Sequence, residues 1–99
     1  MTPAEILAAV AEITGVTVSA MTSKGRQSRT VYARTMATHE IRRQCLGWSL
    51  QNVGDVFGRH YTDVLHDLRR HKDLIETDRA YAAAFQTLSK PNQTNQCKD

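Results

Sequence analysis

The chain has 99 residues, of which 40% are apolar and 23% are charged. A chain of this size buries only about two-thirds of the surface that its unfolded form exposes, so it forms one modest core. The length leaves no room for a second domain. The formal net charge of +3 is too small for a histone-like tail. Between residues 19 and 43, however, six basic residues stand against one acid, which predicts a locally cationic loop or face.

The start of the chain, its cysteines and its histidines indicate a cytoplasmic protein without a metal site. MTPAEILAAV has neither the basic region nor the apolar run of a signal peptide, and no segment reaches the ~20 apolar residues that span a bilayer. The spacing of Cys45 and Cys97 fits neither a disulfide framework nor a zinc site. We therefore expect Cys45 to be a small buried residue and Cys97 to be a free thiol. His66 and His71 do not share a helical face, so no metal or other cofactor is expected.

Helical periodicity covers most of the chain. Apolar residues recur at three- and four-residue steps without alternating runs, which predicts an all-α fold, a small bundle of about six helices. Residues 2–5, TPAE, supply an N-cap, a first-turn proline and a capping-box glutamate for the first helix, which Gly15 ends. Ser19 is expected to cap a single turn. Residues 24–29, here called the basic segment, are expected to form an exposed loop.

Glycine, serine and threonine mark the next helix ends. The third helix is expected to span residues 30–47, with its arginines pointing away from a broad apolar face. Ser49 caps a short fourth helix that Gly58 ends, and Thr62 is the natural N-cap of the fifth. The inward residues of the fifth helix would be Val64, Leu65, Leu68 and Ile75.

The end of the chain divides into a last helix and a polar tail. The pattern from Asp78 to about Leu88 predicts a helix that buries Tyr81, Phe85 and Leu88. The following SKPNQTNQCKD is polar, contains a proline and has no periodicity. We therefore expect a helix-turn-helix domain at residues 1–88 and a disordered tail at residues 89–99.

The stretch SLQNVGDVFGRHYTDVLH, residues 49–66, has the glycine pattern of a helix-turn-helix. Such a motif needs a small residue where the helices touch, a residue that permits the turn and an apolar anchor, and Gly54, Gly58 and Val64 meet these demands. An ordinary short helix in a bundle would also fit. Together with the basic segment, the motif favours a helix in the major groove of DNA and an arginine-containing loop in the adjacent minor groove.

These two segments resemble one protein family. S-L-Q-N-V-G-D-V-F-G followed by R-H-Y-T-D-V-L-H is similar to S-L-P-E-I-G-x-x-F-G, R-D-H-T-T-V-L-H in the C-terminal DNA-binding domain of the bacterial replication initiator DnaA. Upstream, S-K-G-R-Q-S-R-T-V-Y-A-R resembles the basic loop and third helix of that domain. The resemblance extends from about Ala4 to Ile75. It implies a Trp repressor-like helix-turn-helix domain that binds double-stranded DNA.

The resemblance also implies DNA-contacting roles for basic residues. Arg26 matches the minor-groove arginine of the family, and Lys24 and Arg29 lie in the same segment. Arg34 matches a helical arginine that lies against the phosphate backbone, and Arg59 matches the basic residue ahead of the recognition helix. These residues would supply most of the attraction to phosphate.

The implied base-reading positions depart from the family pattern. Residues 60–63, here called the reading segment, are His60, Tyr61, Thr62 and Asp63, where the family has Asp-His-Thr-Thr. Thr62 matches the first of the two threonines. A carboxylate at Asp63 can accept from a cytosine amino group but repels phosphate, so the resemblance implies either a different target sequence or weaker DNA binding.

Three functions are compatible with these features. The sequence has no G-x-x-x-x-G-K-[ST] loop, which an ATPase module would need, and it has no motif of a catalytic nucleophile, so we expect no enzymatic activity. The start at Met1 favours a free-standing protein. The favoured function is sequence-specific binding of double-stranded DNA by a nucleoid-associated regulator of replication or transcription. The alternatives are a protein-interaction module on a helix-turn-helix scaffold and non-specific nucleoid binding.

Overall fold

The structure, a computed structural model, describes the backbone of residues 2–23, 27–45 and 47–98 and the side chains up to residue 88 within these ranges. This part of the chain forms six α-helices and contains no strand, which confirms the predicted all-α class. In chain order the helices are α1 Pro3–Thr14, α2 Val18–Met21, α3 Ser28–Gln44, α4 Leu50–Phe57, α5 Tyr61–Thr77 and α6 Arg79–Lys98.

Helix α1 begins and ends where its sequence predicts. The hydroxyl oxygen of Thr2 accepts the backbone N–H of Glu5 at 3.2 Å, and the Glu5 carboxylate accepts the N–H of Thr2 at 2.8 Å. Both halves of the capping box are therefore present. Gly15 ends the helix in the left-handed conformation, with φ at +77°.

Helix α2 is capped two residues earlier than its sequence indicated. The hydroxyl of Thr17 accepts the N–H of Ala20 at 3.1 Å, so Thr17 is the N-cap and Ser19 lies within the helix. Because both residues are good caps by type, local sequence did not distinguish them.

The predicted bounds of α3 are also wrong. The helix begins at Ser28, so that Arg29 belongs to its first turn, and it ends at Gln44 with Cys45 at the C-cap. The N-cap residue Gln27 makes no capping hydrogen bond with its side chain. The start of α3 therefore carries no strong local signal.

Helix α3 lies at the centre of the bundle and contacts α1, α2, α4 and α5. Its buried Glu40 accepts hydrogen bonds from Arg43 Nη2 at 2.6 Å and from Gln44 Nε2 at 2.9 Å, which offsets part of the cost of burying a carboxylate. Cys45 is half-buried and packs against the core from its edge. The buried apolar residues of the core are Ile6, Leu7, Val10, Val16, Met21, Ala33, Met36, Ala37, Ile41, Val53, Phe57, Val64, Tyr81 and Leu88.

Helix α5 buries polar residues that hydropathy did not predict. Val64 faces the core as expected, but Leu65 and Ile75 are each 36% exposed. Asp67 and His71 are buried instead. Polar side chains can take inward positions when partners satisfy them, and partners from distant parts of a chain are invisible to a pattern of apolar residues.

Helix α6 continues past its predicted end near Leu88 and reaches Lys98. Tyr81 and Leu88 are buried as expected, and Phe85 packs against the core. The division of the chain at residue 88 into a folded domain and a tail stays a prediction. Within the described ranges, no helix combines the length and apolar character needed to cross a membrane.

Candidate nucleic-acid interface

Helices α4 and α5 form the helix-turn-helix that the glycine pattern predicted. Gly58 ends α4 in the left-handed conformation, with φ at +65°. The backbone N–H of Arg59 donates to the Gly54 carbonyl oxygen at 2.9 Å, and a Cβ atom on Gly54 would lie 2.5 Å from the Arg59 carbonyl oxygen. The same Cβ would lie 3.4 Å from Val64, which anchors α5 in the core. Gly54 thus permits the close approach of the two helices.

The start of α5 differs from the sequence prediction. His60, and not Thr62, is the N-cap, because the Nδ1 atom of His60 accepts the backbone N–H of Thr62 at 3.2 Å. Thr62 lies in the first helical turn, and its hydroxyl oxygen is 2.8 Å from the same Nδ1 atom. An imidazole acceptor takes the role that serine, threonine or aspartate usually has, which hid the cap from sequence analysis.

The reading segment is accessible, and its Asp63 forms an ion pair with Arg59. Tyr61 is 45% exposed, and its ring lies 4.5 Å from the ring of His60, centroid to centroid. The carboxylate of Asp63 is 3.6 Å from Nη2 of Arg59, with both side chains partly exposed. Such a pair contributes little to stability, but it places a negative charge beside an arginine that was expected to meet DNA.

Arg34 lies inside the fold, although its sequence position indicated a side chain pointing away from the apolar face. It is 4% exposed, and its Nε and Nη2 atoms donate to the carbonyl oxygens of Met21 and Ser23, both at 2.9 Å. Burial lowers the pKa of Arg34. The residue therefore fixes the chain just ahead of the basic segment. Lys24 and Arg26 themselves lie outside the described residues.

The remaining basic residues separate into two places. Arg29 is exposed and lines a cleft of about 230 Å³ with Tyr32 and residues of α1 and α6. A larger cleft of about 630 Å³, here called the arginine cleft, lies between the end of α2, α3 and the start of α5. Its polar lining includes Thr22, Ser23, Arg34, Arg59, His60, Asp63 and Arg70. The structure therefore brings Arg34 and Arg59 together with part of the reading segment, and it places Arg29 elsewhere.

Sequence analysis did not indicate the ion pair on α5 between the buried Asp67 and the more exposed Arg70. Nη1 of Arg70 donates to Oδ1 of Asp67 at 3.1 Å, and Asp67 is only 4% exposed. Burial raises the pKa of Asp67, and the nearby charges of Arg59, Arg70 and Arg34 oppose this rise. Asp63, Asp67 and Arg70 stand at steps of four and three residues, so they share one stripe of the helix. This spacing of charged residues in the sequence could have indicated that the three side chains lie close together.

The sequence of these helices matches that of a known family. The family model described as the bacterial dnaA protein helix-turn-helix matches residues 3–70, from α1 to the middle of α5. The chain belongs to this family. The resemblance inferred from the sequence is therefore confirmed. Membership of the family implies DNA binding, and the helix-turn-helix domain of DnaA is not a catalytic one.

Curated relatives carry the same resemblance. The chain is 32% identical over 87 residues to the chromosomal replication initiator protein DnaA of two strains of Thermus thermophilus, an alignment that covers 87% of this chain and 20% of the relative. It is 35% identical over 86 residues to DnaA of Oenococcus oeni, covering 86% of this chain and 19% of the relative. The chain thus spans about a fifth of the length of these relatives.

Proposed function

We propose that this protein binds double-stranded DNA sequence-specifically, with the start of α5 in the major groove and the basic segment in the adjacent minor groove. The observation that carries the proposal is the arginine cleft, which is bordered both by Ser23, next to the basic segment, and by His60 and Asp63 of the reading segment. Ser23, the last described residue before the basic segment, and the reading segment therefore border one cleft.

The proposed base contacts come from the reading segment. Tyr61 and Thr62 are exposed, and Asp63 has 43% of its side chain exposed. Because His60, Tyr61 and Asp63 differ from the residues of the DnaA signature at these positions, the preferred sequence should differ from that of the initiator. Thr62, whose hydroxyl and N–H both meet His60, would have a pre-set orientation toward a base or phosphate.

The proposed phosphate and minor-groove contacts come from the arginines and Lys24. Arg26 and Lys24 would enter the minor groove, and Arg29 would approach the backbone beside it. Arg34 would act from inside the fold by holding the start of the basic segment through Met21 and Ser23. Arg59, beside the reading segment, would reach phosphate once its pairing with Asp63 is broken. A domain at residues 1–88 would contain all these parts.

This function fits a regulator of replication or transcription in the cytoplasmic nucleoid, since a DNA-binding domain can regulate either process by occupying a DNA site. The exposed apolar side chains of Tyr61 and Leu65, one helical turn apart on α5, support protein interaction as a second candidate.

Selection of bound duplexes from a random library, followed by titration of the full chain, tests the proposal. The selected duplex should bind at least a hundredfold more tightly than its scrambled version. The logarithm of affinity should fall with the logarithm of salt concentration with a slope of about −4 to −5, as four to six phosphate contacts require. Equal affinity for both duplexes would indicate non-specific nucleoid binding. No binding at low salt would favour the interaction module.

A further inference from the structure

Arg70 belongs to the arginine cleft, although the resemblance to the DnaA signature did not point to it. Its side chain is 45% exposed, and among the described residues its hydrogen-bond partner is Asp67. A guanidinium has five N–H donors in a planar fork. Most of the donors of Arg70 therefore remain available to an acceptor that enters the cleft from solvent.

The buried carboxylate of Asp67 fixes the position of the Arg70 side chain. Its Oδ1 atom accepts from Arg70, and its Oδ2 atom is 3.5 Å from the hydroxyl oxygen of Thr38 on α3. The carboxylate thus connects α5 to the central helix, and its burial leaves it little freedom to move. A long arginine side chain that is fixed at one edge loses less conformational entropy when its other edge binds a ligand.

The position of the cleft indicates its ligand. Ser23 precedes the basic segment and His60 caps α5, and both line the same cleft as Arg70. The major and minor grooves of B-DNA are separated by one sugar-phosphate backbone. A protein that enters both grooves with these two elements therefore has that backbone between them, over the cleft.

The charge of the cleft suits the same ligand. Arg34, Arg59 and Arg70 line it, and the carboxylates near them are those of Asp63 and Asp67. Three cations against two anions leave the cleft with a net positive charge. A backbone phosphate carries one negative charge, and its oxygens fit the parallel N–H groups of a guanidinium.

We propose that Arg70 binds a phosphate of the DNA backbone in the arginine cleft and that Asp67 positions Arg70 for this contact. The inference rests on the proposed function and adds to it a phosphate-binding residue in the second half of α5. It also gives the buried carboxylate of Asp67 a role in binding through its hydrogen bond to Arg70.

Arg70→Gln and the matched control Arg69→Gln test the phosphate contact on the full chain. Both variants remove one positive charge from α5, but Arg69 does not line the cleft. Glutamine at position 70 keeps an N–H donor for Asp67. With the selected duplex, Arg70→Gln should weaken binding threefold to tenfold and make the salt slope about 0.9 less steep, as loss of one phosphate contact requires. Arg69→Gln should leave the slope unchanged and the affinity within twofold.

A double-mutant cycle of Asp67→Asn and Arg70→Gln tests the positioning role. Asp67→Asn removes a negative charge, which directly changes the attraction of the protein for every phosphate. This direct electrostatic effect on affinity is the same with or without Arg70. The cycle cancels it and isolates the effect that passes through Arg70. We expect a coupling of at least twofold in duplex affinity, with Asp67→Asn less favourable to binding when Arg70 is present.

The outcomes separate this inference from the proposed function. If the unaltered chain binds no duplex, both are overturned. If it binds and the two glutamine variants have equal salt slopes, only the phosphate contact is overturned, and a cycle without coupling overturns the positioning by Asp67. Thermal melting checks that each variant folds. Should Arg70→Gln not fold, Arg70→Lys, which keeps the charge, must retain the slope and lose affinity.

Discussion

His39 of α3 and His71 of α5 stack face to face in the bundle, with ring centroids 3.7 Å apart and ring planes 10° apart. Nδ1 of His71 is 2.7 Å from the hydroxyl oxygen of Tyr81 on α6, and the ring of Phe85 meets both imidazoles edge-on. Burial raises the pKa of Tyr81, so its hydroxyl stays protonated and can donate to an unprotonated Nδ1 atom of His71. The contact joins three helices and requires uncharged rings.

Stability should therefore fall in mild acid. Burial, and then the neighbouring His39, lower the pKa of His71 from 6.5 to about 4, while Glu40 acts in the opposite direction. Burial also lowers the pKa of His39, with smaller effects of Glu40 and Arg43. Below pH 6.5 the unfolded chain binds protons that the folded chain does not bind, so stability present above 6.5 is lost as the pH falls toward 4. The loss should be on the order of 2 to 3 kcal/mol, measured by urea unfolding across this range.

A pair of variants on α5 isolates this effect. His71→Gln removes the titrating group, keeps a polar partner for Tyr81 and should flatten the dependence of unfolding free energy on pH. His66→Gln changes an exposed histidine of the same helix and should leave it as steep as in the unaltered chain. The same pH profile for all three proteins would contradict the assignment.

Gly54→Ala should destabilise the fold. The added Cβ would lie 2.5 Å from the Arg59 carbonyl oxygen, which is backbone and cannot move alone. We expect a loss of about 1 to 3 kcal/mol in chemical unfolding, despite the better helix propensity of alanine. Gly47→Ala is the control, since a Cβ there has no heavy atom within 4 Å and the change should stay within about 0.5 kcal/mol. Equal losses in both variants would show that the α4–α5 contact is not the cause.

Arg34→Lys should reduce stability and DNA binding together. A lysine keeps the charge but cannot donate in two directions to the Met21 and Ser23 carbonyl oxygens, so at least one buried acceptor loses its partner. We expect a loss of about 1 to 3 kcal/mol in unfolding free energy and weaker binding to duplexes with A·T-rich flanks. Arg79→Lys, at an exposed position outside the proposed interface, should alter neither. If Arg34→Lys weakens binding without lowering the melting temperature, Arg34 contacts DNA directly.

Asp63→Thr should tighten binding to duplexes in general. The change removes a negative charge 3.6 Å from Arg59 and frees that guanidinium for phosphate. It also removes an acid from the first turn of α5, which should cost a few tenths of a kcal/mol in stability. Asp73→Thr removes the same charge from an exposed position on α5 and serves as the control. Weaker binding to the selected duplex alone would instead identify Asp63 as a base-reading residue.

The elements predicted correctly are those that a few neighbouring residues determine. Thr2 with Glu5 fixes the start of α1, and Ser49 with Gly58 bounds α4, whose cap hydroxyl accepts the N–H of Asn52 at 3.1 Å. The resemblance then supplied the family, which the comparison confirmed.

The errors of burial concern polar residues whose partners are distant in sequence. Arg34 is buried because the end of α2 and the residues just after it offer two carbonyl oxygens, and His71 because α6 offers the hydroxyl of Tyr81. Asp67 is buried between its own helix and Thr38. No pattern of apolar spacing contains this information. The base and phosphate contacts stay predictions, because they depend on a partner molecule.

The backbone contact between Gly54 and Arg59 separates two kinds of sequence change at the helix-turn-helix. The side chains of Tyr61 and Asp63 take no part in it, so substitutions there can alter the preferred DNA sequence without moving α5. An inserted residue between Gly54 and Phe57, inside α4, would instead turn the two helices relative to each other by about 100°, the angle per residue of an α-helix. Target preference in such a chain can diverge through point substitutions, whereas a change of length inside α4 should lower the stability of the fold.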